Sequence, residues 1–239
     1  MENLIAGNWK MNPVSKKEAE KLFEEIKKGS EGIKNTEVVI CPPFIYLDSV
    51  KSDLTLKLGA QSCFYEERGA FTGEISVIML KDLGVEYVII GHSERKKYFS
   101  ETNEIINKKI KMALSAGLKV IFCIGETAEE RDAGRKNEIL EKQIKEGLAG
   151  INNFENINIA YEPVWAIGTG NNCLPQETRE SVNFIKKLIP ENVRVLYGGS
   201  VKSENSGSYI KEAGVNGFLV GGASLDAKEF AKIVKNATM

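Results

Sequence analysis

Residues 119–130 read Lys119-Val-Ile-Phe-Cys-Ile-Gly-Glu-Thr-Ala-Glu-Glu130, and this stretch decides the fold class. Its first six residues are almost continuously apolar and rich in β-branched side chains, which is typical of a strand buried on both faces of a parallel sheet. A Gly-Glu pair follows, and Thr127 with Glu130 then has the spacing of a capping box at a helix start. The stretch therefore predicts a buried strand, a short loop and a helix, in that order.

The same order of strand and helix recurs along the chain. The other predicted strands are Leu4–Ala6, Glu37–Cys41, Leu56–Ala60, Tyr87–Ile90, Asn158–Tyr161, Val193–Tyr197 and Gly217–Val220. Predicted helices begin at Ser15, after Thr102, at Thr127, at Gln176 (ending at Ile189) and near Asp226. Eight such units in 239 residues predict an α/β protein with a single (β/α)8 barrel domain spanning residues 1–239. An open doubly wound sheet is the alternative, but it requires Gly-x-Gly-x-x-Gly after the first strand, and Gly7-Asn8-Trp9-Lys10 does not fit.

Composition argues against several classes of function. The chain has 32 Lys and Arg against 33 Asp and Glu, without the basic excess of a nucleic-acid or membrane-surface binder. No apolar run approaches the roughly 20 residues of a membrane span, and the first residues lack the features of a signal peptide. The four cysteines are widely spaced, with a single histidine to assist them, so we expect no structural zinc site. A reduced, cytoplasmic protein with free thiols is the simplest interpretation.

Candidate catalytic residues follow the predicted strands. Function in such a barrel collects just after the carboxyl ends of the strands. Asn8 and Lys10 follow the first strand, His92 and Glu94 the fourth, and Glu162 the sixth. A neutral imidazole can donate a hydrogen bond to a carbonyl, an enclosed carboxylate can act as a base, and a lysine can stabilise an oxyanion. We expect these groups to meet at one mouth.

The surroundings of Lys10 and of the lone histidine sharpen this expectation. Trp9 and Met11 flank Lys10 with bulky apolar groups, so its head group is expected to be partly enclosed. His92 precedes a predicted helix start, where the positive end of the helix dipole disfavours the imidazolium. Each of these residues taken alone has an ordinary structural explanation, and the combination is what favours a site.

Glycine-rich loops predict a phosphate site and a lid. Gly198-Gly199-Ser200 and Gly221-Gly222 follow the seventh and eighth strands, where backbone N–H groups can approach an oxyanion closely. Either pair alone fits a tight turn, but two on adjacent strands favour phosphate. The apolar segment after Glu162 ends in glycines, as a closing lid would. Its residues are Pro163, Val164, Trp165, Ala166, Ile167, Gly168, Thr169 and Gly170.

Six motifs resemble the triosephosphate isomerase family and occur in that family's order along the whole chain. They are Asn8–Asn12, Gly69–Ser76, Gly91–Arg95, Tyr161–Gly170, Tyr197–Val201 and Gly217–Leu225. The resemblance implies a TIM barrel that interconverts dihydroxyacetone phosphate and D-glyceraldehyde 3-phosphate through an enediolate, in glycolysis and gluconeogenesis. It implies no metal or organic cofactor, no nucleic-acid partner and no membrane association.

The resemblance also implies roles for individual residues. Glu162 matches the catalytic base, His92 the neutral electrophile, and Lys10 the cation near the developing charge. Asn8 matches a neighbouring polar contact, and Glu94 a second carboxylate close to the lysine and histidine. The backbone N–H groups that match the phosphate grip are those of Gly168, Ser200, Gly221 and Gly222. The family is a homodimer, in which the loop matching residues 61–74, with Thr72 at its tip, inserts beside the neighbour's site.

Two other functions remain as alternatives. A different phosphate-handling barrel enzyme, such as a decarboxylase or an aldolase-like lyase, would use a Schiff-base lysine at a strand end, and Lys10 occupies such a position. A non-catalytic sugar-phosphate-binding barrel would need no base, so the combination of Glu162, His92 and Lys10 argues against it.

Overall fold

The computed structural model describes residues 1–51, 53–167 and 173–238, which contain a closed barrel of eight parallel strands. Each strand pairs with the next along the chain, and the first pairs with the last. The strands are β1 (Asn3–Asn8), β2 (Thr36–Cys41), β3 (Lys57–Ala60), β4 (Tyr87–Ile90), β5 (Lys119–Ile124), β6 (Ile157–Tyr161), β7 (Arg194–Tyr197) and β8 (Gly217–Val220). The predicted barrel and its eight strands are confirmed, with ends that differ by a residue or two.

Helices form the outer layer of the barrel. They are α1 (Lys16–Ser30), α2 (Val77–Asp82), α3 (Ser93–Phe99), α4 (Asn103–Ser115), α5 (Ala128–Asp132), α6 (Lys136–Gly147), α7 (Pro175–Lys186), α8 (Ser203–Ser208) and α9 (Ala227–Asn236). None of the helices in the described ranges is long and apolar enough to cross a membrane.

Side-chain caps fix the helix starts that the sequence predicts. Ser15, Thr102 and Asp226 each accept a backbone N–H in the first turn of their helices, and Thr127 forms the full reciprocal box with Glu130. The predicted end of α7 at Ile189 is wrong by three residues, since the helix ends at Lys186. The chain there tightens into i to i−3 hydrogen bonds, from Lys187 N–H to the carbonyl of Phe184 and from Leu188 N–H to that of Ile185.

The barrel interior is filled by alternate residues of the strands. The inward-facing set is Leu4, Ala6, Val39, Cys41, Tyr87, Ile89, Ile121, Cys123, Ala160, Leu196 and Leu219, all buried. Intervening positions pack outward against the helices in a second, larger cluster. Both faces of the sheet are therefore covered, which is why the strands are apolar almost without interruption. The packed interior fills the lower part of the barrel, and a cavity opens at its carboxyl-terminal mouth.

A polar cluster lies at the amino-terminal end of the barrel. We call Glu37, Tyr87, Lys119 and Arg194, from β2, β4, β5 and β7, the basal cluster. Lys119 Nζ and Arg194 Nη1 each lie 3.0 Å from a carboxylate oxygen of Glu37, and Lys119 Nζ also donates to the Tyr87 hydroxyl at 3.2 Å. The cluster joins four strands at the end opposite the mouth, the face of this architecture that serves stability and not catalysis.

Candidate active site

The carboxyl-terminal mouth brings the predicted catalytic groups together. Side chains alternate along a strand, so the position two residues beyond the last interior residue again faces inward. On β1, β6, β7 and β8 those positions are Asn8, Glu162, Gly198 and Gly221. All of them line one cavity of about 470 Å³. Its lining also includes Lys10, His92, Ile167, Gly199, Ser200 and Gly222.

Glu162 lies directly after β6, with its carboxylate buried and hydrogen-bonded. Its side chain is 3% exposed. Oε2 accepts the backbone N–H of Ser93 at 3.2 Å, and Oε1 lies 3.2 Å from His92 Nε2. Close packing fixes the backbone behind it, because a Cβ on Gly125 would overlap the carbonyl of Glu162. The result is an enclosed carboxylate held at a defined point, as a general base requires.

The geometry of His92 defines its tautomer. His92 is the N-cap of α3, and its Nδ1 accepts the backbone N–H of Glu94 at 3.2 Å. A ring nitrogen that accepts a hydrogen bond carries no proton, so a neutral ring has its hydrogen on Nε2. Nε2 is the atom that faces the cavity and Glu162. The predicted helix start behind His92 is confirmed, and the ring is oriented as a hydrogen-bond donor toward the mouth.

Lys10 adopts a left-handed backbone conformation that aims its head group at the mouth. Its φ is 54°, and its N–H donates to Asn8 Oδ1 at 3.0 Å. Nζ pairs with Glu94 Oε1 at 2.5 Å, and the Lys10 side chain is 28% exposed. The predicted partial enclosure of this head group is confirmed, but Met11 does not provide it, because Met11 is 90% exposed. Glu94 and the cavity wall hold the ammonium group instead.

Gln61 supports Lys10, and the sequence analysis did not single it out. Its amide Nε2 donates to the carbonyl of Lys10 at 2.8 Å and to that of Cys41 at 2.9 Å. These bonds hold the strained turn at Lys10 against β2. Gln61 directly follows β3, so the same rule that located the other groups at the strand ends also points to this one.

The phosphate end of the cavity is formed by the glycine loops after β7 and β8. A Cβ on Gly199 would overlap the Tyr197 hydroxyl, so only glycine fits there. Ser200 Oγ donates to the carbonyl of Ala166 at 2.8 Å, which joins this turn to the segment after Glu162. Gly221 packs beside the stem of Lys10, and Gly222 begins the turn Gly222–Leu225. The two predicted glycine pairs thus line the same cavity.

The predicted lid lies partly within the described residues. Pro163 is buried, and Val164–Ala166 form one short turn whose Val164 N–H donates to the carbonyl of Glu126 at 3.0 Å. Ile167 lines the cavity. Gly168, Thr169 and Gly170, including the predicted phosphate contact of Gly168, lie outside the described residues.

Glu126 is a second buried carboxylate behind the mouth. It accepts hydrogen bonds on Oε1 from the Tyr161 hydroxyl at 3.1 Å and from Trp165 Nε1 at 3.0 Å. Burial raises the pKa of Glu126, and these hydrogen bonds offset the shift only partly. The sequence analysis noted Glu126 after the fifth strand but gave it no role. Its contacts make it a support for the segment that follows Glu162.

Two further predictions concern the loop around Thr72 and metal binding. Thr72 is exposed, at the tip of a loop in which Phe71 packs on Phe64 with ring centroids 4.8 Å apart. Among the described side chains, no group of three or more His, Cys, Asp or Glu is arranged to hold a metal ion. The predicted catalytic groups that line the cavity are the Lys10 ammonium, the His92 imidazole, the Asn8 amide and the Glu162 carboxylate, and they suit proton transfer beside an anion.

Comparison with known proteins places this geometry in context. The family model described as triosephosphate isomerase matches residues 3–237. The chain is 49% identical to the triosephosphate isomerase of Dictyoglomus thermophilum, over 98% of each chain. It is 48% identical to the one from Aquifex aeolicus and 50% identical to the one from Thermodesulfovibrio yellowstonii, in both cases over 98% of this chain and 99% of the relative.

Proposed function

The chain belongs to the triosephosphate isomerase family, and we propose that Glu162, His92 and Lys10 carry out the reaction at the mouth of its barrel. It is an enzyme that interconverts triose phosphates. The observation that supports these roles is the contact of a buried carboxylate with an imidazole, 3.2 Å from Glu162 Oε1 to His92 Nε2, in the cavity that Lys10 also lines.

Glu162 moves the proton. Its carboxylate takes a proton from the hydroxymethyl carbon of dihydroxyacetone phosphate, leaving an enediolate. The same carboxyl group returns a proton to the neighbouring carbon, while the hydroxyl proton on the oxygen of the first carbon passes to the oxygen of the second, and D-glyceraldehyde 3-phosphate is formed. The hydrogen moves as a proton between two carbons of one molecule, so no electron acceptor is consumed. A single base that can reach both carbons therefore suffices.

His92 and Lys10 stabilise the charge that develops on the oxygens. The Nε2–H of His92 donates to the substrate oxygens, and the backbone hydrogen bond to Nδ1 orients the ring. The ammonium of Lys10, paired with Glu94 and fixed by Asn8, supplies positive charge beside the enediolate. Glu94 thereby limits the mobility of the ammonium group, and Asn8 limits the mobility of the Lys10 backbone.

The phosphate end binds the part of the substrate that does not react. We assign the grip to backbone N–H groups of Ser200, Gly221 and Gly222, with Gly168 on the lid. Closure of residues 163–170 over the substrate would exclude water and protect the enediolate from loss of phosphate. Binding energy from the phosphate is then used at the reacting carbons.

The protein is proposed to act as a homodimer joined through the loop 61–74. Phe99, 64% exposed, and the loop residues Gly73, Glu74 and Ile75 line one surface pocket, and Phe71 is 42% exposed beside Thr72. Exposed aromatic side chains around a pocket favour a protein interface. Sedimentation equilibrium should give twice the chain mass, and Thr72→Arg should shift the protein toward monomer. A monomeric wild type would contradict the proposal.

Two further proposals concern the domain organisation and the location of the protein. Residues 1–239 are proposed to form one domain, because β1 and β8 pair to close the barrel, and calorimetry should then give one cooperative transition. A cytoplasmic location is proposed because all four cysteines are free thiols. Recovery of the native protein in an oxidising compartment on cell fractionation would contradict that location.

The test of the catalytic assignment is a coupled assay of glyceraldehyde 3-phosphate isomerisation. Glu162→Gln should lower kcat by about 10²–10⁴ or more, since it removes the base without changing the shape of the side chain. Glu191→Gln, on the exposed surface, is the matched control. A Glu162→Gln variant with wild-type kcat would refute the role of Glu162. Phosphoglycolate binding by a folded but inert wild type would instead indicate the non-catalytic sugar-phosphate-binding barrel.

A further inference from the structure

A group of side chains beside the mouth holds Trp165, which lies three residues after Glu162. The indole N–H donates to the buried carboxylate of Glu126. The guanidinium carbon of Arg131 lies 3.9 Å from the ring centroid, at stacking distance over the face of the same indole. The loop and helix that follow β5 therefore contact Trp165 both at its nitrogen and on its face.

Arg131 is carried by a short but well-capped helix. Thr127 and Glu130 form the reciprocal box at the start of α5, and the N–H of Arg131 donates to the carbonyl of Thr127 at 3.0 Å. The backbone that presents the guanidinium is thus fixed independently of Trp165.

Arg131 also contacts the helix that lies beyond the lid in sequence. Its Nη2 is 3.6 Å from Oε1 of Glu177, in the first turn of α7. Both side chains are about two-fifths exposed, so this pair is the weaker of the two contacts. Arg131 nevertheless contacts both the proposed lid, at Trp165, and the helix that follows it, at Glu177.

We propose that Arg131 is a positioning residue for the phosphate end of the site, acting through Trp165; this inference rests on the proposed function. The residue after Trp165, Ala166, accepts the hydroxyl of Ser200 at 2.8 Å, and Ile167 lines the cavity. By holding the indole, the Arg131 cation therefore fixes residues 165–167, and the turn at Ser200 is hydrogen-bonded to this segment. Without it, binding the phosphate must also order this stretch, which costs affinity.

The two kinetic constants should respond differently. Glu162 is held by the Ser93 N–H and by His92, and neither contact involves Arg131. Loss of the guanidinium should raise KM by about two- to fivefold, the factor of a cation–π contact at a partly exposed site. The kcat should stay within about twofold, because the base itself is not displaced.

The test combines kinetics with fluorescence quenching of Arg131→Met. Trp9 is fully buried, so acrylamide quenching of the two tryptophans reports mainly on Trp165. Arg131→Met should raise the quenching constant in the absence of substrate, raise KM for glyceraldehyde 3-phosphate, and weaken phosphoglycolate inhibition by the same factor. Arg131→Lys, which keeps the positive charge, should restore part of each change.

Arg135→Met is the matched control, since Arg135 pairs with Glu138 on the exposed surface. It should change none of these quantities. Glu177→Gln should change the quenching constant by no more than Arg131→Met does. A larger change would overturn the proposal that Arg131 is the residue that positions Trp165. Unchanged quenching and KM in Arg131→Met, or equal changes in Arg135→Met, would also overturn it. Quenching is measured without substrate, so it tests this placement even if the catalytic assignment fails.

Discussion

Gly199→Ala perturbs the phosphate turn at the position where the structure leaves least room. An added Cβ would lie 2.5 Å from Cζ of Tyr197 and closer still to its hydroxyl. The Tyr197 ring is fully buried and stacks on Tyr209 with centroids 4.3 Å apart. The Tyr209 hydroxyl in turn donates to the carbonyl of Cys173. The ring has no free direction, so the turn 198–200 must move toward the cavity.

The size of the effect follows from the displacement. Restoring ordinary van der Waals separation requires a shift of roughly 1 Å, and a misplacement of that size can cost about 10² in kcat/KM. Forcing one methyl group into a packed region costs about 1–3 kcal/mol. For a chain of this length that corresponds to a Tm lower by roughly 2–12 °C.

The assay is coupled isomerisation at varied glyceraldehyde 3-phosphate, with phosphoglycolate inhibition and thermal unfolding of the same samples. Gly207→Ala is the control, because its Cβ would have no neighbour within 4 Å and it lies in α8, away from the cavity. It should keep full activity and gain up to about 1 kcal/mol. Gly199→Ala with the kcat/KM and Tm of the wild type would show that the turn is not set by Tyr197, and would refute the reasoning.

Three further predictions concern charge and burial. Burial raises the pKa of Glu37, but hydrogen bonds from the basal cluster outweigh burial, so the pKa is lowered overall. The ionised Glu37 therefore stabilises the fold above its unfolded pKa of about 4.3, and this stabilisation is lost as the pH falls through the lower folded pKa. Glu37→Gln should have a smaller free energy of unfolding than the wild type at pH 7, and urea titrations should show that it loses less stability than the wild type between about pH 5 and pH 3. Lys10→Met should raise KM more than tenfold and leave Glu94 without its cation; a KM equal to that of the wild type would remove Lys10 from the site. Burial raises the pKa of the Cys173 thiol to about 11, so an aromatic disulfide reagent should label it only after unfolding, and rapid labelling of the native protein would contradict its burial.

The strands could be read from the sequence because their environment is uniform. A strand covered on both faces needs apolar residues at every position, and that run is visible without knowing its neighbours. Helix starts at Ser15 and Thr127 were equally local, since a cap involves residues three apart. The end of α7 was misplaced because Ile189 continues the helical spacing and is buried, while the backbone has already tightened beyond Lys186.

The candidate site was predictable as a set of residue types but not as a geometry. Its residues follow strand ends, so knowledge of the architecture was enough to bring Glu162, His92 and Lys10 to one mouth. The position of Met11 was misjudged because adjacency in sequence does not fix the direction of a side chain, and the backbone of Lys10 is left-handed. The amide of Gln61 contacts Lys10 from fifty-one residues away, and no local pattern encodes that contact.

The sequence by itself determined the order of strands and helices, the closure of eight units into a barrel, and the residues available at its mouth. These properties depend on periodicity and caps, which act over a few residues. Only the tertiary structure decided which nitrogen of His92 faces Glu162, what holds Lys10, and why Gly199 must lack a side chain. Those depend on distances between segments far apart in the chain, and such distances are set by packing of the whole barrel.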